Sequence, residues 1–314
     1  MKLTIIAILL PFLTPALLQG GTPAPRDPRW EPRGPVVEVR EYLLGEEEDQ
    51  EELVHRYRFD HQGKLTELVR HIPDPDAPVT QHFSYNDQGM LEHWLARDPS
   101  GQIIWGYRYR YDQEGTLLQE TEYGPGETIT GQRAFTSRQE GDTVRVEESA
   151  YDSSGEVLWW MQRLRTSETP GEDWSLYYPD GRIITEGSRL YDSQGRIIRE
   201  EERDTAARTT TITTYRYNQG ENPLRIEETD SDGTLLRREE FQYDQFGNPL
   251  LHRTDIPADT VHTARYYQYE YDDHGNWTTR TIWNVRTRGD QLTAVTRERR
   301  FRHFTYHKTH QGEE

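Results

Sequence analysis

One short pattern recurs along this chain: an aromatic residue, then Asp or Asn, two variable residues and Gly. Its seven copies occupy 59–63, 85–89, 111–115, 151–155, 191–195, 243–247 and 271–275. The first three copies follow one another at a constant interval. A pattern that returns in this way predicts an array of small similar units, each supported by its neighbours, rather than one conventional globular core.

Each copy predicts a β-hairpin. Before the third copy, aromatic residues stand at every second position of 105–111, which indicates a strand with one aromatic face. Asp112 suits the first position of a type I turn, where its carboxylate accepts backbone N–H groups, and Gly115 suits the position with positive φ. The predicted turn residues of all copies are Asp60, Gly63, Asn86, Gly89, Asp112, Gly115, Asp152, Gly155, Asp192, Gly195, Asp244, Gly247, Asp272 and Gly275.

The same turn predicts the strand register. If Asp112 pairs with Thr116, then Tyr111 lies opposite Leu117 on one face, so the residue two after Gly should be apolar in every copy. Pro249 departs from this rule. The other six copies obey the rule, with the apolar residues Leu65, Leu91, Leu117, Val157, Ile197 and Trp277 at this position.

These observations predict the fold class and the domains. Shorter turns end at Gly101, Gly181, Gly220 and Gly233, and no sustained helical period interrupts the strands. We therefore predict an all-β fold of antiparallel β-hairpin repeats in an extended, twisted or curved meander sheet. The predicted segments are a signal peptide at 1–21, a Pro-rich linker at 22–35, one repeat domain at 36–306 and a loose tail at 307–314.

Several local expectations accompany this prediction. A first strand is expected at 36–44, followed by an acidic solvated loop at 46–52. The segment 122–141, rich in Gly and Thr, suggests a longer loop. Residues 290–306 are expected to supply one or two closing strands.

The first residues indicate export. A positive start at Lys2 precedes an apolar run over 3–18 that Pro11 and Pro15 interrupt, which is typical of a secretory signal peptide. The run is short for a membrane span, although an uncleaved anchor is the alternative. The chain has no cysteine, so it forms no disulfides. We predict a secreted or periplasmic protein without a stable membrane span after cleavage.

The composition favours a thin or hollow structure. Hydrophobic residues make up 32%, yet there are 19 Tyr and 8 Trp, so the apolar surface is mainly aromatic. The net charge of −18 makes nucleic acid an unsuitable partner. Charge runs at 199–203 and 237–240 suggest cross-strand ion pairs on a wet face, with a charged ligand groove as the alternative.

One copy resembles a known family. The sequence Tyr-Asp-Ser-Gln-Gly-Arg-Ile at 191–197 is similar to the Y-D-x-x-G-R-[LI] unit of the YD-repeat (Rhs-like) family, and looser units cover 59–283. The resemblance implies an extracellular or envelope protein whose hairpins wind into a curved sheet. In large toxin members that sheet closes around a toxic domain. This chain resembles a short secreted member without the toxin domain.

No motif indicates catalysis. The chain lacks Gly-x-Ser-x-Gly, a Walker loop, His-Glu-x-x-His and a cysteine nucleophile. His303, His307 and His310 are poorly spaced for zinc, and the Asp-rich stretches at 230–233 and 272–276 fit turns better than calcium loops. We predict no catalytic, cofactor or metal residues.

The aromatic residues supply the one candidate binding surface. They either form the core of a thin sheet or stack on a ligand, and Trp159 and Trp160 must point to opposite faces of a strand. The possible ligand platform consists of Trp105, Tyr107, Tyr109, Tyr111, Trp159 and Trp160.

The leading functional hypothesis is therefore a non-enzymatic YD-repeat binding or scaffold protein of the bacterial envelope. Its partner would be a glycan, through carbohydrate binding, or an envelope protein. Two alternatives remain open: a toxin-associated shell that shields a separate cargo, and a hydrolase with a carboxylate pair assembled in space.

Overall fold

The structure is a computed structural model that describes residues 32–44, 50–71, 78–166, 170–259, 261–289 and 291–307. The predicted signal peptide at 1–21 lies outside the described residues. So do most of the linker at 22–35, part of the acidic segment at 46–52 and the tail beyond residue 307.

The described chain is all-β and antiparallel, as predicted. Two short 3₁₀ turns, Pro125–Glu127 and Pro257–Asp259, are the helical elements among the described residues. The strands are β1 Val36–Leu44, β2 Glu51–Phe59, β3 Leu65–Arg70, β4 Val79–Tyr85, β5 Leu91–Arg97, β6 Ile103–Tyr111, β7 Leu117–Tyr123, β8 Ile129–Glu140, β9 Thr143–Asp152, β10 Val157–Thr166, β11 Gly171–Tyr177, β12 Ile183–Tyr191, β13 Ile197–Asp204, β14 Thr209–Tyr217, β15 Pro223–Asp230, β16 Leu235–Tyr243, β17 Pro249–Ile256, β18 Val261–Tyr271, β19 Trp277–Arg288 and β20 Gln291–Tyr306.

The sheet closes on itself, which corrects the expectation of an open or merely curved meander. Each strand pairs with its chain neighbours, and β1 pairs with both β2 and β20. Val39 lies opposite Tyr57 on one side and opposite Phe304 on the other. Closure removes the two exposed edges that a meander would leave. Hairpin patterns do not encode it, because the closing pair joins the two ends of the domain.

The predicted hairpin register is confirmed. Tyr111 lies opposite Leu117, and the N–H of Asp112 donates to the carbonyl of Thr116 over 2.9 Å. The turn residues predict a bulge within the hairpin loop; a further register shift between the strands, such as that at Arg110/Tyr111, was not predicted. This bulge adds twist to the hairpin. The equivalent pairs are Phe59 with Leu65, Tyr85 with Leu91, Tyr151 with Val157, Tyr191 with Ile197, Tyr243 with Pro249 and Tyr271 with Trp277.

The turns of the repeat divide between the two ends of the barrel. Six copies connect an even-numbered strand to the next one and lie at the end that we call the tyrosine rim. The copy at 151–155 joins β9 to β10 and lies at the opposite rim. A hairpin whose turn lies at the opposite rim presents its opposite face to the interior of the barrel. The same unit therefore directs its aromatic residue to opposite faces at the two rims.

One face of the sheet encloses the buried charged groups, and we call it the inner face. It carries Tyr109, Leu117 and Glu148, together with the residues that line both cavities described below. Ala150 shares this face with Arg133. Tyr151 therefore lies on the outer face, unlike the aromatic residues of the other six copies.

Burial on the inner face is uneven. We call β19, β20 and β1–β12 the closed half, because every buried side chain on a described strand lies there; Asn276 is buried in the turn that leads into β19. Its largest apolar cluster joins Val39, Phe83 and Tyr109 with their neighbours. Strands β13–β18, which we call the open half, carry no buried side chain among their described residues.

Two local expectations need correction, and two others agree with the structure. The segment 122–141 is mostly strand β8, a 12-residue strand, rather than a loop. Glu51 and Glu52 begin strand β2 rather than belonging to the acidic loop. The end of the domain is one long strand, β20, and the first strand has the predicted bounds. Pairing with neighbours extends these polar segments, which local sequence cannot report.

Candidate functional site

The turn residues of the repeat form the hairpin loops. Oδ1 of Asp60 accepts the backbone N–H groups of Gln62 and Lys64 over 2.8 and 2.9 Å. The seven repeat glycines have φ between 77° and 87°, a conformation that other residues adopt only with strain. The same pair of contacts occurs at Asn86, Asp152, Asp192, Asp244 and Asp272, and Asp112 accepts the N–H of Thr116. These acids shape turns, and their hydrogen bonds point to no ligand.

The tyrosines of the tyrosine rim link successive hairpins. The hydroxyl of Tyr85 donates to the carbonyl of Leu65, and that of Tyr111 donates to the carbonyl of Leu91, each over 2.8 Å. Each hydroxyl thus reaches the first residue of the preceding strand. This contact explains why the repeat uses Tyr more often than Phe. Tyr217 and Tyr243 make equivalent bonds to the carbonyls of Ile197 and Pro223. The hydroxyls of Tyr271 and Tyr306 donate instead to the side-chain carboxylates of Asp244 and Asp272 in the preceding turn of this rim.

The six residues predicted as a platform do not form one surface. Trp105 and the three tyrosines of β6 lie on the inner face, where Tyr109 is only 4% exposed. Trp159 also faces inward, whereas Trp160 faces outward and stacks on Tyr177 with ring centroids 3.8 Å apart. The pleat separates the two tryptophans, as the sequence predicted. None of the six side chains is exposed, because their neighbours cover them.

Charged side chains are buried within the closed half. Glu41 is 1% exposed and accepts hydrogen bonds from Arg300 and Arg302 over 2.8 and 3.0 Å. Burial by itself would raise the pKa of Glu41, but the imidazole of His55, 3.8 Å away, and the charge of Arg302 hold that pKa well below its usual range. The guanidinium of Arg302 also stacks on Trp277 at 3.5 Å. This network joins the first and last strands at the closure.

The open half presents two adjoining cavities of opposite charge. The first, of about 450 Å³, is lined by basic, neutral polar and small apolar residues of β16–β18 and extends onto β19 and β20 of the closed half. The second, of about 300 Å³, is mainly acidic and lies over β13–β16. Arg237 belongs to both. The charged groups of the first are Arg237, His252, Arg265 and Arg286; those of the second are Glu200, Glu202, Asp204, Glu228, Arg237 and Glu239.

The sequence interpretation preferred to place the charge runs on one wet face and kept a charged ligand groove as the alternative; the structure places part of each run in a cavity. The strands alternate, so Glu200 and Glu202 point inward while Glu201 points outward. The outward charges do form cross-strand pairs, such as Arg225 with Glu240 at 2.7 Å. The five consecutive charged residues at 199–203 could have indicated a charged inner face, because successive side chains of a strand point to opposite faces.

The remaining candidates show no ligand geometry. Within the described residues, no group of three His, Asp or Glu side chains is arranged to hold a metal ion. His303 lies on the outer face against the ring of Tyr42, 5.3 Å between centroids, and His310 lies outside the described residues. No helix in the described part of the chain is long and apolar enough to cross a membrane.

No protein-family model matches the chain, and no curated protein matches it either. Two solved structures resemble its fold weakly. A porin-like protein from Bacteroides uniformis has 11% identity and a TM-score of 0.37, covering 87% of this chain and 99% of that one. A porin-like protein from Bacteroides vulgatus has 13% identity and a TM-score of 0.34, covering 67% and 98%. Likeness at this level carries no functional argument.

These findings correct one set of expectations. The description of the chain as a YD-repeat, Rhs-like, carbohydrate-binding sheet protein is wrong: the sheet is a closed barrel of twenty strands. What remains as a candidate site is the charged inner face of the open half.

Proposed function

We propose that this chain is an exported, non-enzymatic binding protein of the cell envelope that holds a charged polypeptide segment of a partner protein inside its barrel. The partner segment lies against the inner face of the open half. Export is supported by the apolar first residues, which have the layout of a signal peptide.

The pair of oppositely charged cavities carries the proposal. Arg265 is exposed in the basic cavity, and Glu202 and Asp204 are exposed in the acidic one. A partner segment with cationic groups over β13–β15 and anionic groups over β16–β19 complements both. An exposed ion pair contributes only about 0.2–1 kcal/mol, so useful affinity requires several pairs along one segment.

The distribution of charge supports water on both faces of the barrel. On β13, Arg199 and Glu201 point outward while Glu200 and Glu202 point inward. A barrel that contacts lipid presents an apolar band about 25 Å tall on its outer face. Strands charged on both faces cannot supply that band. The proposed role is therefore binding rather than passage through a lipid bilayer.

One observation favours a second candidate function. Because β1 pairs with β20, the inner face is enclosed all the way round, as a shell requires. A separately encoded cargo could be shielded there, and the polar lining would keep it hydrated. This candidate predicts a stable complex that protects the cargo from proteases.

Fluorescence anisotropy with a labelled peptide tests the main proposal. The peptide carries a block of lysines and a block of glutamates, and a scrambled peptide of equal composition serves as the ligand control. We expect the block peptide to bind more tightly at low salt and to lose binding in high salt. The double variant Arg265→Glu with Glu202→Lys should weaken binding about tenfold or more.

Matched variants on the outer face provide the protein control. Arg253→Glu with Glu201→Lys makes the same charge changes outside the barrel and should leave the affinity within about twofold. Equal losses from the inner and outer pairs, or equal binding of block and scrambled peptides, would contradict the proposal.

A further inference from the structure

Several buried polar atoms in the closed half lack a hydrogen-bond partner among the described residues, and three of them lie together on adjacent strands. They are Oε2 of Glu148, Nε of Arg163 and Nε1 of Trp174. Their side chains are 1%, 7% and 4% exposed. An unsatisfied buried polar group costs about 1–3 kcal/mol, so three on neighbouring strands are unusual in a native fold.

The three groups share the inner face of strands β9, β10 and β11. Arg163 lies directly opposite Trp174. Glu148 lies opposite Met161, which is two residues from Arg163 on the same face. The charge of Arg163 acts on Glu148 without a hydrogen bond between them. The unpartnered atoms therefore belong to one patch on the inner face of the barrel.

The neighbours hold this patch in place. The other oxygen of Glu148 accepts a hydrogen bond from Arg133 over 3.3 Å, and Arg133 also binds Glu120 over 2.8 Å. Gly187 lies opposite Trp174, where a Cβ would approach the indole ring to 2.9 Å. The glycine thus gives Trp174 the room that it needs. The site is rigid before any ligand arrives.

The charges of the patch indicate a neutral ligand group. Two carboxylates, Glu120 and Glu148, balance two guanidinium groups, Arg133 and Arg163. The guanidinium of Arg189, 5.5 Å from the centre of the Trp174 ring, is already paired with Glu172 and Glu200. A bound anion would lie beside Glu148, and a bound cation would lie beside Arg163. Burial raises the pKa of Glu148 even with both arginines nearby, so added negative charge is disfavoured.

The hydrogen-bonding capacity of the patch identifies the group. Arg163 and Trp174 offer two N–H donors, and Glu148 offers one acceptor. A neutral group with a carbonyl oxygen and an N–H satisfies all three. We propose that Glu148, Arg163 and Trp174 form a binding site for an amide group. The inference rests on the proposed function, since the partner polypeptide would supply the amide from its backbone or from an Asn or Gln side chain.

Nuclear magnetic resonance of the ¹⁵N-labelled full chain tests the site directly. The indole N–H signal of Trp174 is identified by its loss in Trp174→Phe. We expect acetamide to shift this signal saturably, while acetate and methylammonium have little effect. N-methylacetamide distinguishes a backbone-type amide from the side-chain type. No shift with either amide, or a larger shift with acetate, would overturn the inference and leave ordered water as the partner of these atoms.

Variants separate binding from a structural role. Saturation-transfer measurements on acetamide should show about two- to tenfold weaker binding to Trp174→Phe and to Arg163→Lys, each of which removes or displaces one donor. Trp160→Phe removes an indole N–H from the outer face and should leave the affinity unchanged. Circular dichroism confirms that each variant is folded. Unchanged affinity in both donor variants would refute the site.

This test can fail independently of the proposed function. Acetamide binding involves β9–β11 alone, whereas the charged peptide depends on Arg265 and Glu202 in the open half. A chain that binds the peptide without binding acetamide would retain the proposed function and lose only the amide site.

Discussion

The closed and open halves of this barrel use the same hairpins and the same residue types, yet they differ in how the inner face is covered. In the closed half the inner face carries Phe83, Ala96 and Trp174, all buried. At comparable inner positions the open half carries Thr211, Thr213 and other polar residues, none of them buried. The repeat therefore fixes the hairpin, while the residues at inner positions away from the turn decide whether the wall is dry or wet.

The comparison also shows why a charged pair differs in its effect between the halves. Glu41 and Arg302 are nearly inaccessible, so their attraction is strong and either partner alone would be costly. Glu228 and Arg237 in the open half are 3.5 Å apart, and about a third or more of each side chain is exposed. Water screens the second pair.

The largest expected effect follows from this difference. Glu41→Gln leaves Arg300 and Arg302 without their shared counter-charge and should lower the free energy of unfolding by about 3–5 kcal/mol. Glu228→Gln should lower it by less than about 1 kcal/mol. Urea unfolding followed by circular dichroism measures both. Similar losses in the two variants would show that the halves are equally hydrated.

A smaller effect is expected at the tyrosine rim. Tyr111→Phe removes a hydrogen bond to the carbonyl of Leu91, which is 1% exposed, and should cost about 1–2 kcal/mol. Tyr217→Phe removes the equivalent bond to Ile197, which is only half-buried, and should cost about 0.5 kcal/mol. Denaturation midpoints of the two variants provide the comparison. A larger loss of stability in Tyr217→Phe than in Tyr111→Phe would show that the rim is better packed in the open half.

The smallest effect concerns alkaline pH. Burial, with the nearby charge of Asp60, raises the pKa of Tyr85 to about 12. Because the folded state holds this proton more tightly than the unfolded state, its stabilising contribution is complete below about pH 10 and is lost as pH rises toward 12. Tyr85→Phe should therefore reduce the loss of stability in that interval.

Tyr217 supplies the matching residue in the open half. Burial raises the pKa of Tyr217 too, so Tyr217→Phe should reduce the alkaline loss in the same direction. Thermal unfolding measured at intervals between pH 9 and pH 12 compares the two variants. Unchanged alkaline sensitivity in both would mean that neither hydroxyl is protected by folding.

Much of the local fold could be predicted because each hairpin is specified twice. The Asp and Gly of the turn set the loop, and the apolar residue opposite the aromatic sets the register, so Tyr111 and Leu117 meet as expected. A bulge within the hairpin loop could be predicted from the turn residues. The further register shift at Arg110/Tyr111 could not, because it depends on how the paired strands twist against their neighbours.

The candidate site was less accessible to prediction. Its charged residues were visible in the sequence, but a strand alternation alone does not say which face is enclosed. The platform of aromatic residues failed as a unit for the same reason. Trp160 and Tyr151 face outward because their hairpin lies at the opposite rim.

The sequence by itself determined the hairpins, their register and the turn role of the repeated acids, since all of these depend on residues close together in the chain. Only the tertiary structure decided that β1 meets β20, which face is inner and where charge gathers. Those features arise from contacts between residues far apart in sequence. No local pattern describes such contacts, because they depend on the summed twist and number of all twenty strands.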